Sequence, residues 1–202
     1  MILEQILVGH MANFTYILAD GNKAIVIDPS WDLEKVLNLL KKHNLTLVYI
    51  INTHSHFDHT LGNEQLKALT NAKIAMHKNS PLEKDIELDE GSVIRLNDTE
   101  IKVLYTPGHT KDSICLLTDK ILFTGDTLFV GNCGRTDLPG GDAGELYDSL
   151  QRLAKLDDDI TIYPGHDYGI KPYSTIGEEK RNSMVFKPKS REEFIAFMKM
   201  GD

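Results

Sequence analysis

The segment Thr53-His54-Ser55-His56-Phe57-Asp58-His59 gathers three of the chain's eight histidines and one aspartate. It directly follows the apolar run 45–51, which predicts a strand buried on both faces. Alternate side chains of an extended segment point to the same side, so His54 and His56 can reach one ion. A mixed set of imidazoles and a carboxylate is typical of a catalytic metal site. The alternative, a polar surface loop, would require this clustering of histidines to arise by chance.

Three further segments share one local pattern, in which a short apolar strand and a turn precede a possible metal ligand. They lead to His109, Asp126 and His166. Each segment is a weak signal alone, but one tetrahedral ion needs only three or four ligands, so the combined set favours two ions. Two ions that share a carboxylate lie about 3.5–4 Å apart in two-metal sites. The candidate metal ligands are His54, His56, Asp58, His59, His109, Asp126 and His166.

The rest of the chain alternates strand and helix patterns. Period-two and continuous apolar runs predict strands at 14–19, 24–28, 45–51, 73–76, 93–96, 100–104, 114–118, 120–123 and 160–163. Apolar residues at helical spacing predict helices at 33–40, capped by Asp32, and at 61–69, 144–156 and about 190–200. A capping box that starts at Ser190 opens the last helix. The pattern indicates helices packed outside one sheet or a pair of sheets.

Composition narrows the class of protein. The 202 residues are 41% hydrophobic and 26% charged, as in an ordinary soluble protein. A net charge of −8 argues against general affinity for nucleic acid, and no apolar run is long enough to span a membrane. No secretory signal is evident at the N-terminus, and two cysteines fit a reducing compartment. We therefore expect one cytoplasmic domain over residues 1–202, without nucleic-acid or membrane partners, as a monomer or homodimer.

The order and spacing of the seven ligands resemble the metallo-β-lactamase superfamily, and the resemblance extends from residue 28 to about residue 181. Three motifs resemble its glyoxalase II-like (hydroxyacylglutathione hydrolase-like) branch: Phe-Thr-Gly-Asp-Thr-Leu-Phe at 123–129, Gly-Arg-Thr-Asp at 134–137 and Tyr-Pro-Gly-His-Asp-Tyr at 163–168. The pair Asp58-His59 and a histidine, not a cysteine, at position 109 also fit that branch. The resemblance implies an α+β fold, a four-layer αβ/βα sandwich of two mixed β-sheets with helices on the outer faces and metals at one edge.

The resemblance also implies which ligands share an ion. In the family pattern, metal one is held by His54, His56 and His109, and metal two is held by Asp58, His59 and His166. Asp126 bridges the two ions, and Asp28 supports the ligand loop from behind. The implied cofactors are two divalent ions, with zinc expected and iron or manganese as alternatives.

The implied activity is hydrolysis of a thioester, such as a 2-hydroxyacyl-glutathione, by a metal-bridging hydroxide. Asp58 is the catalytic candidate, because it can orient the hydroxide and accept its proton. Arg135, Tyr168 and Lys171 lie near ligands in the sequence and could contact a small acyl-thiol substrate. Structural hydrogen bonding is the alternative role for these three residues.

Two other activities stay open. A sister branch oxidises glutathione persulfide at a single iron, whose ligands here would be His54, His109 and Asp126, a facial triad. A flavodiiron-like metal platform is a third possibility, and the lack of a fused flavin or rubredoxin segment argues against it. The chain is also too short for the whole helical C-terminal extension of glyoxalase II, so the short helix at about 190–200 is expected in its place.

Overall fold

The computed structural model describes residues 1–200, and Gly201 and Asp202 lie outside the described part. The strands are β1 (Ile2–Val8), β2 (Asn13–Asp20), β3 (Lys23–Ile27), β4 (Thr46–Ile51), β5 (Lys73–His77), β6 (Ile86–Leu88), β7 (Val93–Leu96), β8 (Thr99–Tyr105), β9 (Ile114–Thr118), β10 (Ile121–Gly125), β11 (Thr161–Pro164) and β12 (Ser174–Thr175). The helices are α1 (Leu33–Lys42), α2 (Phe57–Thr60), α3 (Asn63–Thr70), α4 (Ala143–Leu153), α5 (Ile176–Asn182) and α6 (Arg191–Met200), with a 3₁₀ turn at Met184–Phe186.

Within the described residues the strands form two six-stranded sheets. The first has the order β1-β2-β3-β4-β5-β6, antiparallel from β1 to β3 and parallel from β3 to β6. The second has the order β12-β11-β10-β9-β8-β7, and only its β10–β11 pair is parallel. Both sheets are therefore mixed, as the resemblance implies.

Three apolar clusters separate four layers. One cluster joins α1 and α3 to the outer face of the first sheet, and includes Val36 and Ile50. The second lies between the sheets, where Ile27 of one and Phe123 of the other are fully buried. The third packs α4, α5 and α6 on the outer face of the second sheet. Alternate residues of each central strand face different clusters, which is why these strands are nearly continuous apolar runs. The expected αβ/βα sandwich is confirmed.

Several elements differ from the sequence prediction. The strands β1, β6 and β12 and the helix α5 were not predicted, because they are edge strands, very short strands or a seven-residue helix. Asp32 is the N-cap residue of α1, as predicted, but its side chain makes no capping hydrogen bond. Its carboxylate instead accepts hydrogen bonds from Gly9 N at 3.1 Å and Lys35 Nζ at 2.9 Å. The last helix is found at Arg191–Met200, and Ser190 Oγ accepts a hydrogen bond from Glu193 N at 3.2 Å, as predicted.

The topology brings several strand ends to one edge. The carboxyl ends of the parallel pairs β3–β4 and β10–β11 meet there. Strand β8 ends at the same edge, because β8 and β10 both run antiparallel to β9, which lies between them. Loops that follow parallel strands at such an edge are the usual place for a site. In residues 1–200, no helix is both long and apolar enough to cross a membrane. The expectation that residues 1–202 form one domain stays a prediction.

Candidate metal centre

The seven candidate ligands, separate in the sequence, lie together at this edge. Their ligand atoms form three overlapping groups, each with all atoms within 4.8 Å of one another. The groups are His54 with His56 and His109; His54 with His59 and Asp126; and Asp58 with His59 and His166. The first and third groups are the same sets that the family pattern gives for metals one and two.

Asp126 lies between the two sets. Its Oδ2 is 3.5 Å from His109 Nε2 and 3.3 Å from His166 Nε2, and its Oδ1 is 3.4 Å from His59 Nε2. Oδ1 is buried and has no hydrogen-bond partner among the described residues. A buried carboxylate oxygen without a partner is costly, and a cation at this position would satisfy it. The geometry fits the bridging role that the family pattern implies.

Hydrogen bonds from behind orient the ligand imidazoles. His59 Nδ1 lies 3.0 Å from Asp28 Oδ2, and His166 Nδ1 lies 2.9 Å from the carbonyl oxygen of Met11. An ionised carboxylate and a carbonyl can only accept, so both Nδ1 atoms are the donors. In the neutral tautomer, each Nε2 then carries a lone pair that points into the site.

The same argument applies to His109 and His54. His109 Nδ1 donates to the carbonyl oxygen of Arg135 at 2.8 Å. Thr53 Oγ1 donates its single proton to Asp28 Oδ2 at 2.7 Å, so it must accept from His54 Nδ1, 3.1 Å away. The Nε2 atoms of both histidines are therefore left as acceptors that face the site.

These inward nitrogens lie within contact distance of one another. His54 Nε2 is 3.1 Å and His109 Nε2 is 3.0 Å from His56 Nδ1, and His59 Nε2 is 3.2 Å from His166 Nε2. In the deprotonated form that binds a metal, the lone pairs of these nitrogens would converge on common points, where a cation would be held. Imidazole and carboxylate are ligands for zinc, iron and manganese, so the residues fit the divalent ions that the family pattern implies.

The charges of the site also favour cations. Burial raises the pKa of Asp58 and Asp126, but hydrogen bonds from His166 to Asp58 and the charge of His59 near Asp126 outweigh it and hold both pKa values far below their usual range. Burial lowers the pKa of His166, yet its hydrogen bonds to the two carboxylates raise that pKa to about 9, so a metal that binds His166 Nε2 must displace a proton. Burial lowers the pKa of His54 well below its usual value, so that imidazole is neutral and able to bind a metal.

Glycines let the ligand loops approach one another. A Cβ on Gly165 would lie 2.3 Å from Asp126 Oδ1 and 2.9 Å from His59 Cε1. A Cβ on Gly134 would lie 2.2 Å from the carbonyl oxygen of Asp126. The close contact of three ligand loops therefore depends on residues without side chains at these two positions.

A cleft of about 480 Å³ opens above the ligands. Five of the seven ligands line it, and His54 and His59 lie beneath them. Its other lining residues are Met11, Phe57, Phe129, Asn132, Cys133, Gly134, Arg135, Leu138 and Tyr168. Apolar and aromatic side chains therefore form most of the wall above the metal-ligating floor, as in many small-molecule sites.

The three candidate substrate residues occupy different places. Tyr168 lines the cleft, its ring stacks on His166 at 4.5 Å, and its hydroxyl donates to the Met11 carbonyl at 3.3 Å. Arg135 also lines the cleft, and its guanidinium pairs with Asp137. Lys171 does not line the cleft, and its ammonium lies 2.6 Å from Glu178 Oε2. A substrate role for all three stays a prediction.

Asn13 is a contributor that sequence reasoning missed. It is buried at the start of β2, and its Nδ2 donates to Asp58 Oδ2 at 2.9 Å and to the Asp58 carbonyl at 3.1 Å. The only available signal was an amide at the start of an apolar strand, which commonly indicates a turn. His77 lies outside the candidate site: it is buried, it stacks on Tyr105 with a ring distance of 4.3 Å, and its Nδ1 accepts a hydrogen bond from Asn79 N at 3.2 Å.

The comparisons with known proteins agree with this fold and site. The model of the metallo-beta-lactamase superfamily matches residues 8–82 and 79–166. The match covers well over half of the chain, and the chain belongs to this superfamily.

Two relatives and one solved structure are similar to this chain over most of its length. A protein of Bacillus subtilis (strain 168) named "Probable polyketide biosynthesis zinc-dependent hydrolase PksB" is 34% identical, over 92% of this chain and 86% of its own length. The hydroxyacylglutathione hydrolase of Francisella tularensis subsp. novicida is 41% identical over 78% of this chain, and the match spans 64% of the relative. The crystal structure of ETHE1 from Myxococcus xanthus has a TM-score of 0.94 and 37% identity, over 98% of this chain and 90% of that one.

Proposed function

We propose that this chain is a dinuclear metallohydrolase that cleaves a small acyl-thiol, a thioester, with Asp58 as its catalytic carboxylate. The broader statement, a metal-dependent hydrolase of the superfamily, is supported by the family match and by the zinc-dependent and glutathione-thioester hydrolases among its relatives. The observation that carries the proposal is the set of seven ligand atoms on the cleft floor, divided into two groups with Asp126 between them.

The candidate ligands of the first ion are His54, His56 and His109, and those of the second are Asp58, His59 and His166, with Asp126 shared. Two divalent ions, when bound there, supply Lewis acidity, which polarises a carbonyl and lowers the pKa of water. Zinc is the expected metal, and iron and manganese suit the same donors.

The chain's own residues orient the reaction. The Asp58 carboxylate lines the cleft and is ionised at neutral pH, because its pKa is held low. Asn13 Nδ2 fixes its orientation from behind at 2.9 Å. In the proposed reaction, Asp58 accepts a hydrogen bond from an attacking water and then its proton, while the water oxygen bonds to the thioester carbon. The C–S bond breaks, and the thiolate leaves and is protonated.

The test combines metal analysis with a turnover assay. Protein prepared anaerobically without added metal is assayed for zinc, iron and manganese and for hydrolysis of S-lactoylglutathione and N-acetylcysteamine thioesters. Close to two ions per chain together with thioester hydrolysis is the expected result. A chain with full metal content that cleaves none of these thioesters would contradict the proposal.

A second candidate is oxidation of a persulfide by molecular oxygen at one iron. The observation that favours it is that His54 lies in one ligand group with His109 and in another with Asp126, while Asp126 Oδ2 is 3.5 Å from His109 Nε2. Two histidines and one carboxylate are the ligand set of such iron enzymes. The similarity to ETHE1 from Myxococcus xanthus extends along nearly the whole chain. One iron per chain with oxygen uptake on glutathione persulfide would favour this candidate over the hydrolase.

A further inference from the structure

A second apolar cavity of about 440 Å³, which we call the groove, adjoins the cleft on the side of α6. Its lining residues are Asn132, Cys133, Arg135, Met184, Phe197, Met198 and Met200. Three of them, Asn132, Cys133 and Arg135, also line the cleft. The two spaces therefore lie on either side of one short loop segment, 132–135, and adjoin along it.

The loop 132–135, between the cleft and the groove, makes contacts on both of its sides. Gly134 N donates to the carbonyl oxygen of Asp126 at 2.9 Å, and the Arg135 carbonyl accepts from His109 Nδ1 at 2.8 Å. On the other side, Cys133 Sγ lies 3.8 Å from Met198 Sδ of α6. The loop is therefore held to the metal-ligating residues and to the last helix together, and the groove has a defined position relative to the reacting centre.

The chemistry of the groove favours an aliphatic ligand. Three methionines and Phe197 form most of its wall, and methionine adapts its shape to flexible apolar partners. Met184 is 58% exposed and Met200 is 87% exposed, so apolar surface at the groove is left in contact with water. Such a patch beside a site is typical of a binding surface.

The charges around the cleft do not provide an alternative anchor. Lys171, the cation that the sequence suggested for an anionic tail, pairs with Glu178. Arg135 is the single lysine or arginine among the residues that line the two spaces, and its guanidinium pairs with Asp137. Apolar contact is thus the main recognition that the described residues offer beyond the metal ligands.

We infer that the groove formed by Met184, Phe197, Met198 and Met200 binds the aliphatic acyl group of the substrate. The protein would then act on medium-length acyl thioesters. This inference rests on the proposed function. The thioester carbonyl lies above the ligands, and the acyl chain passes the loop 132–135 into the groove. Each methylene that leaves water then strengthens binding by about two- to fourfold.

The first experiment uses acetyl, butanoyl, hexanoyl and octanoyl thioesters of N-acetylcysteamine. The ratio of octanoyl to acetyl kcat/KM is expected to exceed about 50. Binding of the matching S-alkyl thioethers, which cannot be hydrolysed, is measured by calorimetry and is expected to tighten along the same series. A ratio near one, together with thioether affinity independent of length, overturns the inference.

Variants locate the effect in the groove. Met184→Glu places a charge in the groove and is expected to lower the octanoyl-to-acetyl ratio at least tenfold. Leu69→Glu is the matched control, because Leu69 is also 58% exposed but lies on α3, in the opposite outer layer. An unchanged ratio in Met184→Glu, or an equal fall in Leu69→Glu, contradicts the inference.

The two proposals fail in different ways. Loss of the proposed function means that no thioester is cleaved at full metal content, and the thioether series still tests the groove. Loss of the present inference means that acetyl thioesters are cleaved but neither turnover nor thioether affinity depends on chain length.

Discussion

Asp28 has a central position among the residues behind the candidate metal ligands. It follows β3 with φ of 52°, in the left-handed region that few non-glycine residues adopt. From there its carboxylate accepts hydrogen bonds from Thr53 N and Thr53 Oγ1, both at 2.7 Å, and from His59 Nδ1 at 3.0 Å. A strained residue at a site is a common sign that its side chain is needed there.

We expect Asp28→Asn to weaken metal binding about 10- to 100-fold, the usual cost of losing a residue that orients a metal ligand. The amide can donate to His59 Nδ1, which would turn the proton of that imidazole toward the ligand side. Titration with a competing chelator measures the affinity. Asp32→Asn is the matched control, because Asp32 has φ of 53° but lies outside the site. Equal affinity in wild type and Asp28→Asn would argue against the positioning role.

Asp58→Asn keeps the size and removes the charge. We expect turnover to fall about 10²–10⁴-fold, the range for loss of an acid–base group, with little change in melting temperature. Thioester kinetics and metal analysis are measured on the same sample. Asp157→Asn is the control, because the Asp157 side chain is 77% exposed and pairs with Lys120. Near-normal turnover of Asp58→Asn at full metal content would refute the catalytic assignment.

The two cysteines are expected to be unreactive in the native protein. Burial raises the pKa of Cys115 to about 11 and that of Cys133 to about 12, so thiolate forms only as the pH rises through those values. At pH 8 we expect a disulfide reagent to react at least roughly 100-fold more slowly with the native chain than with the chain in guanidinium. Rapid reaction of Cys133 in the native protein would show that the loop 132–135 opens, and rapid reaction of Cys115 would show that the core opens.

Residue chemistry also explains what the sequence could and could not predict. The seven ligand candidates were predictable because histidine and aspartate at this density have few other roles. The contribution of Asn13 was not, because an amide is common at turns and its partner Asp58 lies 45 residues away. Contacts at such separations depend on the topology, which no local pattern encodes.

At the level of elements, each ligand loop follows a strand, and its position depends on close contact with the neighbouring ligand loops. Gly165 follows β11, and its N–H donates to the carbonyl of Gly125 at 2.8 Å, where β10 ends. The central strands were predicted because they are continuous apolar runs. The edge strands β1, β6 and β12 and the helix α5 were not predicted, since their burial comes from neighbours rather than from their own periodicity.

Gly165→Ala is expected to lose metal and activity while the fold persists. The new Cβ would lie 2.3 Å from Asp126 Oδ1, so the Asp126 carboxylate must move. Elemental analysis and circular dichroism report the two effects separately. Gly91→Ala is the comparison, because Gly91 has φ of 76° and open space around it, so its cost of about 1 kcal/mol falls on stability alone. Full metal content in Gly165→Ala would contradict this account.

At the level of the whole molecule, the site joins the two sheets. Phe14 N donates to the Gly165 carbonyl and Ile114 N to the Thr53 carbonyl, both at 2.8 Å, so backbone hydrogen bonds cross between the sheets beside the ligands. The pairing of the sheets followed from the resemblance and not from the strand pattern, which left one sheet or two open. The order of strands in a sheet depends on contacts between residues that are far apart in the sequence, so local patterns do not predict it.

Removal of the metals is expected to lower the melting temperature by about 10 °C. Ligands that bind the native state at 1,000 times their Kd add about 4 kcal/mol of stability, and each kcal/mol shifts Tm by about 2–4 °C at this size. Thermal unfolding with and without a chelator, followed by re-addition of zinc, measures the change. An unchanged Tm after verified metal removal would show that the ligand loops hold their arrangement without cations.

The separation of the ligands along the chain also sets an order in time. Four of the seven lie between His54 and His59, whereas His166 follows His59 by 107 residues. At roughly 5–20 residues per second, a ribosome makes the first four some 5–20 s before the last. During that interval the nascent chain contains a histidine-rich segment whose last partner, His166, does not yet exist. Synthesis therefore presents the cell's metal pool with a partial site before the complete one.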